Sequence, residues 1–345
     1  MRSGLSLIDY VHSFMLKFSQ LAEIMDGQIL HLSQDQEIST LLTDSRHLVV
    51  HPGALFFAIK GVHHDGHQFL DEVLSQNISN FVIQQPAIHL PAEFSKANVI
   101  SVKNSVSALQ ALAEYHRHQF ELPVLGITGS NAKTIIKEWL YQLLEDRVIT
   151  KSPKSYNSQI GVPLSVWQLN DKTEMGIFEA GISVKGEMEH LACIIRPTMG
   201  IFTNIGTAHD AGFQDADEKI REKCELFRES SQIIYRRDHQ KVHRILSKIF
   251  PEKILYSWST EGNGRINFEL KKVGTHTEVF WNYKSPGKVT LPFTDGASVE
   301  NALHCLSFML LQDYSSTVID QRLGSLRNIA HRLALRQGIN DCYLV

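Results

Sequence analysis

The chain has 345 residues, of which 43% are hydrophobic and 21% charged, and its formal net charge is −3. This length allows two or three domains with buried cores, and the charge gives no indication of a nucleic-acid or membrane-surface partner. No apolar run approaches the roughly 20 residues of a membrane span. The four cysteines are scattered without paired spacing. They predict reduced thiols in a cytoplasmic protein and no zinc site.

Changes in residue pattern along the chain predict an α/β protein with four segments. These are an extension, a small α/β domain, a central α/β domain with a mostly parallel sheet and an antiparallel insert, and the start of a third domain. The predicted bounds are, in that order, 1–14, 15–100, 101–335 and 336–345. The central domain alternates strand and helix patterns, which is typical of a parallel sheet.

Short apolar runs predict strands, and apolar residues at helical spacing predict helices. The predicted strands outside the insert are 54–59, 80–83, 124–127, 175–178, 199–202, 233–235 and 254–256. The predicted helices are 69–75, 105–120, 135–144, 298–311 and 316–326. Alternating apolar residues from 265 to 291 predict the antiparallel insert. Residues 90–101, which include Pro91 and show little periodicity, are interpreted as a connector.

The most informative stretch runs from Val124 to Leu140 and predicts a buried strand, a loop of small residues and a helix. The loop and helix start are Gly129, Ser130, Asn131, Ala132, Lys133 and Thr134. Amide groups at a helix start bind polyphosphate, a lysine adds charge, and a threonine hydroxyl ligates Mg²⁺. The stretch therefore indicates a polyphosphate-binding site, with a purely structural turn as the alternative. If the loop needs a positive φ at Ala132, where the common pattern has glycine, the Cβ costs about 1–2 kcal/mol.

Four further polar residues follow predicted strands or lie on later helices. Glu179 closes an apolar strand, where a carboxylate either holds Mg²⁺ or is simply exposed. His209 either joins such a site or is a hydrogen-bonded loop residue. Lys223 taken alone is a surface lysine on a charged helix. Asn301 faces a base edge, caps a helix or is solvated. No one of these four residues by itself establishes a phosphate or metal site.

A further pattern, formed by His63, His64 and His67, resembles a metal-binding sequence. No carboxylate base adjoins these histidines, unlike in the H-E-x-x-H motif of zinc proteases. We therefore interpret them as polar residues of a solvated loop.

Several motifs, taken in order, resemble those of the Mur ligase family. They are Thr128 to Thr134, Tyr156 to Pro163, Phe178 to Gly181, Thr203 to His209, Lys223 to Glu225, Glu300 to Ala302 and His331 to Leu333. In the first domain, Asp44-Ser45-Arg46 and the run from Gly53 to Gly61 resemble the UDP-sugar domain of that family. The resemblance extends from about residue 16 to the last residue.

The resemblance implies roles in ATP and metal binding for the matching residues. Lys133 and the loop amides hold the β- and γ-phosphates, while Thr134 and Glu179 ligate one Mg²⁺ and His209 a second. Lys223 is implied to be carbamylated, because an ammonium repels Mg²⁺ whereas a carbamate offers anionic oxygens. Lys133, Lys223 and His209 are thus the implied catalytic residues.

The resemblance also implies which residues contact the adenine and the γ-phosphate of ATP and which contact the UDP-substrate. Asn301 is expected near adenine, and Arg332 near the γ-phosphate. The residues expected at the UDP-substrate are Asp44, Ser45, Arg46, Gly61 and Asn157.

The implied reaction is ATP-dependent amide formation in peptidoglycan precursor synthesis. The terminal carboxylate of UDP-MurNAc-tripeptide attacks the γ-phosphoryl group, and the amine of D-alanyl-D-alanine then attacks the acyl phosphate. Because only the start of the third domain is present, we expect this chain to bind UDP-sugar and nucleotide but not to ligate by itself. The run from Lys133 to Leu140 also resembles ligases fused to an alanine racemase, which implies such a domain in a longer chain.

Three alternatives stay open at this stage. The first is another member of the superfamily, either the diamino-acid-adding ligase or a folylpolyglutamate synthetase; the uridine-type domain argues against the synthetase. The second is a non-catalytic module that binds UDP-sugar or nucleotide, and the third is an unrelated P-loop regulator. The discriminating observation is whether Thr134, Glu179, His209 and Lys223 gather around one cleft.

Overall fold

The structure, a computed structural model, describes residues 15–46, 51–62, 64–84, 92–206, 212–327, 336–337 and 343–344. It divides into two compact units. Unit 1 comprises Met1–Leu122 and Gln159–Thr173, and unit 2 comprises Pro123–Ser158 and Glu174–Val345. The predicted extension at 1–14 and most of the predicted third-domain segment lie outside the described residues.

Ten elements form the first part of unit 1. They are β1 (Leu16–Lys17), α1 (Phe18–Ile24), β2 (Gln28–His31), β3 (Glu37–Ile38), β4 (Thr40–Leu42), β5 (Ala54–Phe57), α2 (Leu70–Ser75), β6 (Asn80–Gln84), β7 (Asn98–Val102) and α3 (Ser105–Arg117). Short 3₁₀ helices cover Gly66–Phe69 and Ala92–Lys96.

The remaining elements belong to unit 2, except α5, which lies in the second segment of unit 1. They are β8 (Val124–Thr128), α4 (Lys133–Leu143), β9 (Ile149–Lys151), α5 (Gly161–Val166), β10 (Met175–Glu179), α6 (Glu187–Ile195), β11 (Met199–Phe202), α7 (Ala216–Cys224), β12 (Gln232–Arg236), α8 (Gln240–Ile249), β13 (Ile254–Ser259), β14 (Ile266–Val273), β15 (His276–Tyr283), β16 (Ser285–Leu291), α9 (Gly296–Leu311), α10 (Ser316–Gly324), β17 (Arg336–Gln337) and β18 (Tyr343–Leu344).

The division between the units differs from the predicted domain boundary at residue 100. Helix α3 buries Leu109 and Leu112 in the core of unit 1, together with Trp167 from the segment that follows β9. A helix stays with the sheet that covers its apolar stripe, so the first unit extends to Leu122. Helix α3 begins at an Asn104 cap, whose carboxamide oxygen accepts from the amides of Val106 and Ser107 at 2.9 Å.

Unit 1 contains a five-stranded sheet in the order β2-β7-β6-β5-β4. Strands β4 to β7 pair in parallel, and β2 pairs antiparallel to β7. The predicted connector at 90–101 is wrong over its last part, where β7 forms an inner strand. All five residues of β7 are buried. A strand buried on both faces shows no alternation of polar and apolar residues, so the sequence pattern hides it.

Unit 2 contains a nine-stranded sheet in the order β16-β15-β14-β13-β12-β11-β8-β10-β9. Strands β8 to β14 pair in parallel with their neighbours, whereas β15 pairs antiparallel with β14 and with β16. The predicted antiparallel insert at 265–291 is confirmed. Strands β10 and β11 flank β8 on opposite sides, so the strand order reverses at β8. Open α/β sheets bind ligands at such a reversal, beyond the carboxyl ends of the strands.

The core of unit 2 covers one face of this sheet with α4, α9 and α10. Trp139 on α4 stacks on Phe293 with ring centroids 5.0 Å apart, and its indole nitrogen donates to the carbonyl of Arg327 at 3.0 Å. Cys224 and Cys305 are buried free thiols. In the described part of the chain, every helix is too short or too polar to cross a membrane.

Candidate functional site

The loop after β8 leads into α4, as the sequence pattern predicts. Helix α4 begins at Lys133, two residues before the first apolar residue of the predicted helix. Ala132 caps the helix with φ +70° and ψ −12°, which is the left-handed region. Because φ is positive here, the Cβ of Ala132 costs about 1–2 kcal/mol. The loop thus carries a residue less suited to its backbone than glycine.

The end of β11 holds the loop in shape. The amide of Ser130 donates to the carbonyl of Asn204 at 2.9 Å, and the amide of Asn131 donates to the Asn204 side-chain oxygen at 3.1 Å. The Thr203 hydroxyl donates to the carbonyl of Asn131 at 2.7 Å. These bonds order the loop without a ligand, which lowers the entropy lost when an anion binds.

Lys133 folds back over the loop that precedes it. Its ammonium donates to the carbonyl of Gly129 at 2.9 Å and to that of Ser130 at 3.4 Å. The lysine thus lies beside the start of α4, where the helix dipole and the first amides favour negative charge. An anion at this point meets both the ammonium and the helix terminus.

Thr134 and Glu179 are in direct contact. The Thr134 hydroxyl donates to Glu179 Oε2 at 2.9 Å, and the side-chain amide of Asn157 donates to the same oxygen at 3.3 Å. Glu179 is the last residue of β10 and is fully buried. This burial contradicts the alternative that Glu179 is an exposed strand-end carboxylate. A hydroxyl and a carboxylate oxygen this close form part of the donor set that Mg²⁺ prefers.

The motifs in the sequence do not identify the partner of the other Glu179 oxygen. Lys137 Nζ lies 3.0 Å from Glu179 Oε1, and both side chains are fully buried. Lys137 follows Lys133 by one helical turn, between Ile136 and Glu138, on a helix that also buries Trp139 and Leu140. A lysine within an apolar helix face is the signal that points to such a buried partner.

Lys223 is buried on α7, which contradicts the alternative that it is a surface lysine. Burial, followed by repulsion from Lys133 and Lys219, lowers the pKa of Lys223 from 10.5 to about 7. Lys133 is close enough to act on this pKa, so the loop lysine and Lys223 share one electrostatic environment. Lys219 Nζ donates to the carbonyl of Gly206 at 2.7 Å.

Asn301 is buried on α9, and the residue before it joins a polar cluster at the end of β12. Glu300 Oε2 accepts from Arg236 Nη1 at 2.6 Å, and its other oxygen lies 3.6 Å from His239 Nε2. Arg236 also binds Asp238 at 3.0 Å. Asn301 is therefore placed beside a charged cluster at the carboxyl end of the sheet.

His209 and Arg332, to which metal and γ-phosphate roles were assigned, lie outside the described residues. Among the residues that the structure does describe, no group of three or more His, Cys, Asp or Glu side chains is arranged to hold a metal ion. The structure thus joins Thr134 to Glu179 and relates Lys223 to Lys133, and it leaves the placement of His209 untested.

In unit 1, Asp44, Ser45 and Arg46 follow β4, and Gly61 follows β5. These strands are parallel neighbours, so both loops lie at the same edge of the sheet. Arg46 binds Asp44 through two nitrogens, at 2.9 and 2.8 Å. The Arg46 side chain is 80% exposed, which leaves its guanidinium accessible. Asn157, expected with this group, instead lies in unit 2 against Glu179.

The histidine pattern of the first domain is partly described. His67 Nδ1 lies 2.5 Å from Asp65 Oδ1, and its Nε2 accepts from the amide of Gln84 at 2.9 Å. Both ring nitrogens of His67 therefore serve hydrogen bonds that fix the loop. His63 lies outside the described residues.

Two family models match the chain. The Mur ligase middle domain matches residues 127–309, more than half of the chain, and the catalytic domain of the Mur ligase family matches residues 37–117. This chain belongs to the Mur ligase family. The matches cover the loop, Glu179, Lys223 and Asn301 in one model and the Asp44 loop in the other.

Individual Mur ligases are similar over most of this chain. The UDP-N-acetylmuramoyl-tripeptide–D-alanyl-D-alanine ligase of Synechocystis sp. is 33% identical over 228 residues, which cover 66% of this chain and 47% of that protein. MurF from Acinetobacter baumannii aligns with a TM-score of 0.83 and 25% identity, over 95% of this chain and 72% of that chain. MurF from Thermotoga maritima in complex with ADP aligns with a TM-score of 0.73 and 25% identity, over 86% and 68%. The chain spans about half of the Synechocystis relative.

Proposed function

We propose that this chain forms the UDP-sugar-binding and ATP-binding parts of a ligase that adds D-alanyl-D-alanine to UDP-MurNAc-tripeptide in the cytoplasm. The observation that carries the proposal is the 2.9 Å contact between Thr134 Oγ1 and Glu179 Oε2 beside a phosphate-type loop. The similar Synechocystis protein bears the name of this activity. The diamino-acid-adding ligase is less similar, since its solved structure aligns with only 12% identity.

ATP is proposed to bind at the loop between β8 and α4. Its phosphates would meet the amides of the loop and the start of α4, and Lys133 would add a positive charge. The similar Thermotoga protein was solved in complex with ADP, which supports nucleotide binding by this chain. Arg332 and Asn301 remain the predicted neighbours of the γ-phosphate and of adenine.

The residues of this chain fit a divalent cation. Thr134 and Glu179 present hard oxygen donors at one point, next to the proposed phosphate position. A bound Mg²⁺ would neutralise charge on the phosphates during phosphoryl transfer. His209 stays a predicted second ligand. Thr134 and Glu179 therefore have the proposed task of holding the cation, and Lys133 that of orienting the γ-phosphoryl group.

Lys223 is proposed to carry a carbamate. With a pKa of about 7, a large fraction of its side chain is the neutral amine at pH 7.5. The amine nitrogen attacks carbon dioxide, and a nitrogen–carbon bond forms while one carbon–oxygen π bond breaks. Its electron pair becomes the negative charge of the carbamate, and one proton leaves the nitrogen to water. The carbamate is anionic. Lys133 and Lys219, which repel the Lys223 ammonium, would therefore attract the carbamate.

The UDP-substrate is proposed to bind at the carboxyl edge of the unit 1 sheet. Asp44, Ser45, Arg46 and Gly61 lie in two adjacent loops there. An exposed guanidinium held by a carboxylate is suited to bind a diphosphate. Asn157 stays the predicted contact of the muramoyl portion, although its present partner is Glu179. A fused alanine racemase domain stays a prediction.

One observation favours a second candidate, a binding module without catalysis. Ala132 has φ +70°, and its methyl group borders the loop that would receive the phosphates. If that methyl group prevents ATP from binding, UDP-sugar binding alone would remain.

A thermal-shift experiment with three ligands, and with ATP in the presence and absence of Mg²⁺, tests the proposal. We expect Mg²⁺–ATP, UDP and UDP-MurNAc-tripeptide each to raise the melting temperature, since each binds only the folded state. Thr134→Val and Glu179→Gln should lose the Mg²⁺-dependent part of the ATP shift. Thr317→Val, at an exposed position of α10, is the matched control and should keep it.

The pattern of shifts separates the candidates. A shift with UDP-MurNAc-tripeptide but none with Mg²⁺–ATP supports the binding module. A Mg²⁺-dependent ATP shift that survives Glu179→Gln contradicts the proposed metal site. Phosphate release that requires UDP-MurNAc-tripeptide and D-alanyl-D-alanine together would establish the full reaction in this chain.

A further inference from the structure

The carboxylate of Glu179 has two oxygens in different surroundings. Oε2 accepts from the neutral Thr134 hydroxyl and Asn157 amide, at 2.9 and 3.3 Å. Oε1 contacts the ammonium of Lys137 at 3.0 Å. Neutral donors yield to a cation more readily than an ammonium in a buried pair, because the ammonium loses a strong charge interaction when it leaves.

Lys137 is itself held in place. Its ammonium donates to the carbonyl of Lys154 and lies 3.2 Å from Glu138 Oε1. Glu138 in turn binds Lys151, with Lys151 Nζ 2.9 Å from each carboxylate oxygen. The charges of Glu179, Lys137, Glu138 and Lys151 therefore alternate in sign along one row. This row anchors the Lys137 ammonium at Oε1, so the carboxylate cannot rotate without breaking a buried ion pair.

The position of Lys137 on α4 relates it to the loop. Thr134 and Lys137 are three residues apart and lie on the same side of the helix. The helix that begins at the proposed phosphate site thus also supplies both the hydroxyl and the ammonium that contact Glu179. One rigid element therefore determines which oxygen of Glu179 is available.

We propose that Lys137 is a positioning residue that occupies Oε1 of Glu179 and restricts a divalent cation to Oε2. This inference rests on the proposed function, because it takes Glu179 as a metal ligand. The ammonium orients Glu179 before the cation arrives. It also weakens cation binding by its own charge, which favours release of the cation together with the nucleotide product.

Mn²⁺ binding in the presence of ADP tests this role. Free Mn²⁺ is measured by its paramagnetic resonance signal in wild type, Lys137→Met and Lys137→Gln; the second variant keeps a neutral donor. Without the ammonium, we expect the Mn²⁺ dissociation constant to fall by about five- to ten-fold. Lys288→Met removes a lysine of the antiparallel insert that pairs with Glu278, outside this row, and it should leave the constant within about two-fold of wild type.

A second measurement separates this role from a purely structural one. Loss of Lys137 leaves a buried carboxylate unpaired, so we expect a lower melting temperature without ligand and a larger rise on addition of Mn²⁺–ADP than in wild type. A lower melting temperature with an unchanged Mn²⁺ dissociation constant would overturn the proposal. So would Lys137 variants that stay unfolded with saturating Mn²⁺–ADP, because a cation at Glu179 should restore the charge balance.

Glu179→Gln distinguishes failure of this inference from failure of the proposed function. If Glu179→Gln binds Mn²⁺–ADP as tightly as wild type, the metal site itself is wrong. If Glu179→Gln loses Mn²⁺ binding while both Lys137 variants bind as wild type does, only the role of Lys137 is wrong.

Discussion

A Cβ atom at Gly129 would lie 1.9 Å from the Oγ1 of Thr203. Gly129 also has φ +144°, a conformation that side chains rarely adopt. The loop therefore approaches β11 too closely for any residue but glycine. We expect Gly129→Ala to lower the free energy of unfolding by about 2–4 kcal/mol, from overpacking and backbone strain together. Gly129→Ala should also lose Mg²⁺–ATP binding, which isothermal titration calorimetry on the folded fraction would measure.

Gly262→Ala is the control for backbone strain alone. Gly262 has φ +82°, but no atom lies within 4 Å of the Cβ that alanine would add. We expect this variant to lose only about 1 kcal/mol and to keep nucleotide binding. Equal losses in the two variants would show that the contact with Thr203 does not matter.

Replacing Ala132 by glycine should stabilise the protein. Glycine removes the backbone strain of a left-handed alanine, which is about 1–2 kcal/mol. Part of this gain is offset, because glycine increases the backbone entropy of the unfolded chain. We expect a net gain of about 0.5–1 kcal/mol in the free energy of unfolding, measured by urea denaturation. Removal of the methyl group should also tighten Mg²⁺–ATP binding.

Replacing an alanine in the middle of a helix by glycine should lower the stability instead. Ala111 lies inside α3. Ala111→Gly should therefore lose about 1 kcal/mol. If Ala132→Gly is destabilised as much as Ala111→Gly, the left-handed conformation at Ala132 is refuted.

Lys223 should make stability depend on pH above neutrality. Its pKa is about 7 in the folded protein, against 10.5 for an ordinary lysine. Between these values the unfolded chain binds more protons, so stability rises with pH. From pH 7 to 9.5 we expect wild type to gain about 2–3 kcal/mol relative to Lys223→Met, measured by urea denaturation. Lys103→Met, at a lysine whose side chain is 79% exposed, should follow wild type.

Carbon dioxide gives an independent test of the same side chain. Added bicarbonate at pH 8.5 should raise the melting temperature of wild type with Mg²⁺–ADP, because the carbamate adds an anionic ligand. Lys223→Met should show no such rise. A rise of equal size in Lys223→Met would exclude a carbamate at Lys223 as its cause.

His304 should make the protein sensitive to acid. It is fully buried on α9, its Nδ1 accepts from the indole nitrogen of Trp258 at 3.1 Å, and burial lowers its pKa to about 3. Between pH 3 and 6.5 the unfolded chain binds the extra proton, so stability falls as the pH falls through this window. Relative to His304→Asn, which keeps an acceptor, wild type should lose about 2 kcal/mol between pH 7 and 5.

A comparison of urea denaturation at these two pH values measures the effect. His118→Asn, at an exposed position after α3, is the control and should behave as wild type does. If wild type and His304→Asn lose the same stability at pH 5, His304 is not the group responsible.

Local pattern identified most strands and helices of unit 2 and the loop after β8. The antiparallel insert was also predictable, because its strands alternate polar and apolar residues against solvent. Strand β7 was missed because burial on both faces removes that alternation. The proximity of Thr134 to Glu179 is implied by the family resemblance, and it is consistent with parallel strands that bring their carboxyl ends to one edge.

The sequence by itself determined the family, the alternating fold and the residue types of the nucleotide loop, because these depend on local order along the chain. Only the tertiary structure decided that Lys137 pairs with Glu179, that Lys223 is buried near Lys133, and that Ala132 adopts a left-handed backbone. These three features arise where segments distant in sequence enclose a charge or constrain a turn. Charge burial and backbone strain depend on everything packed around a residue, and the neighbours in sequence do not specify that.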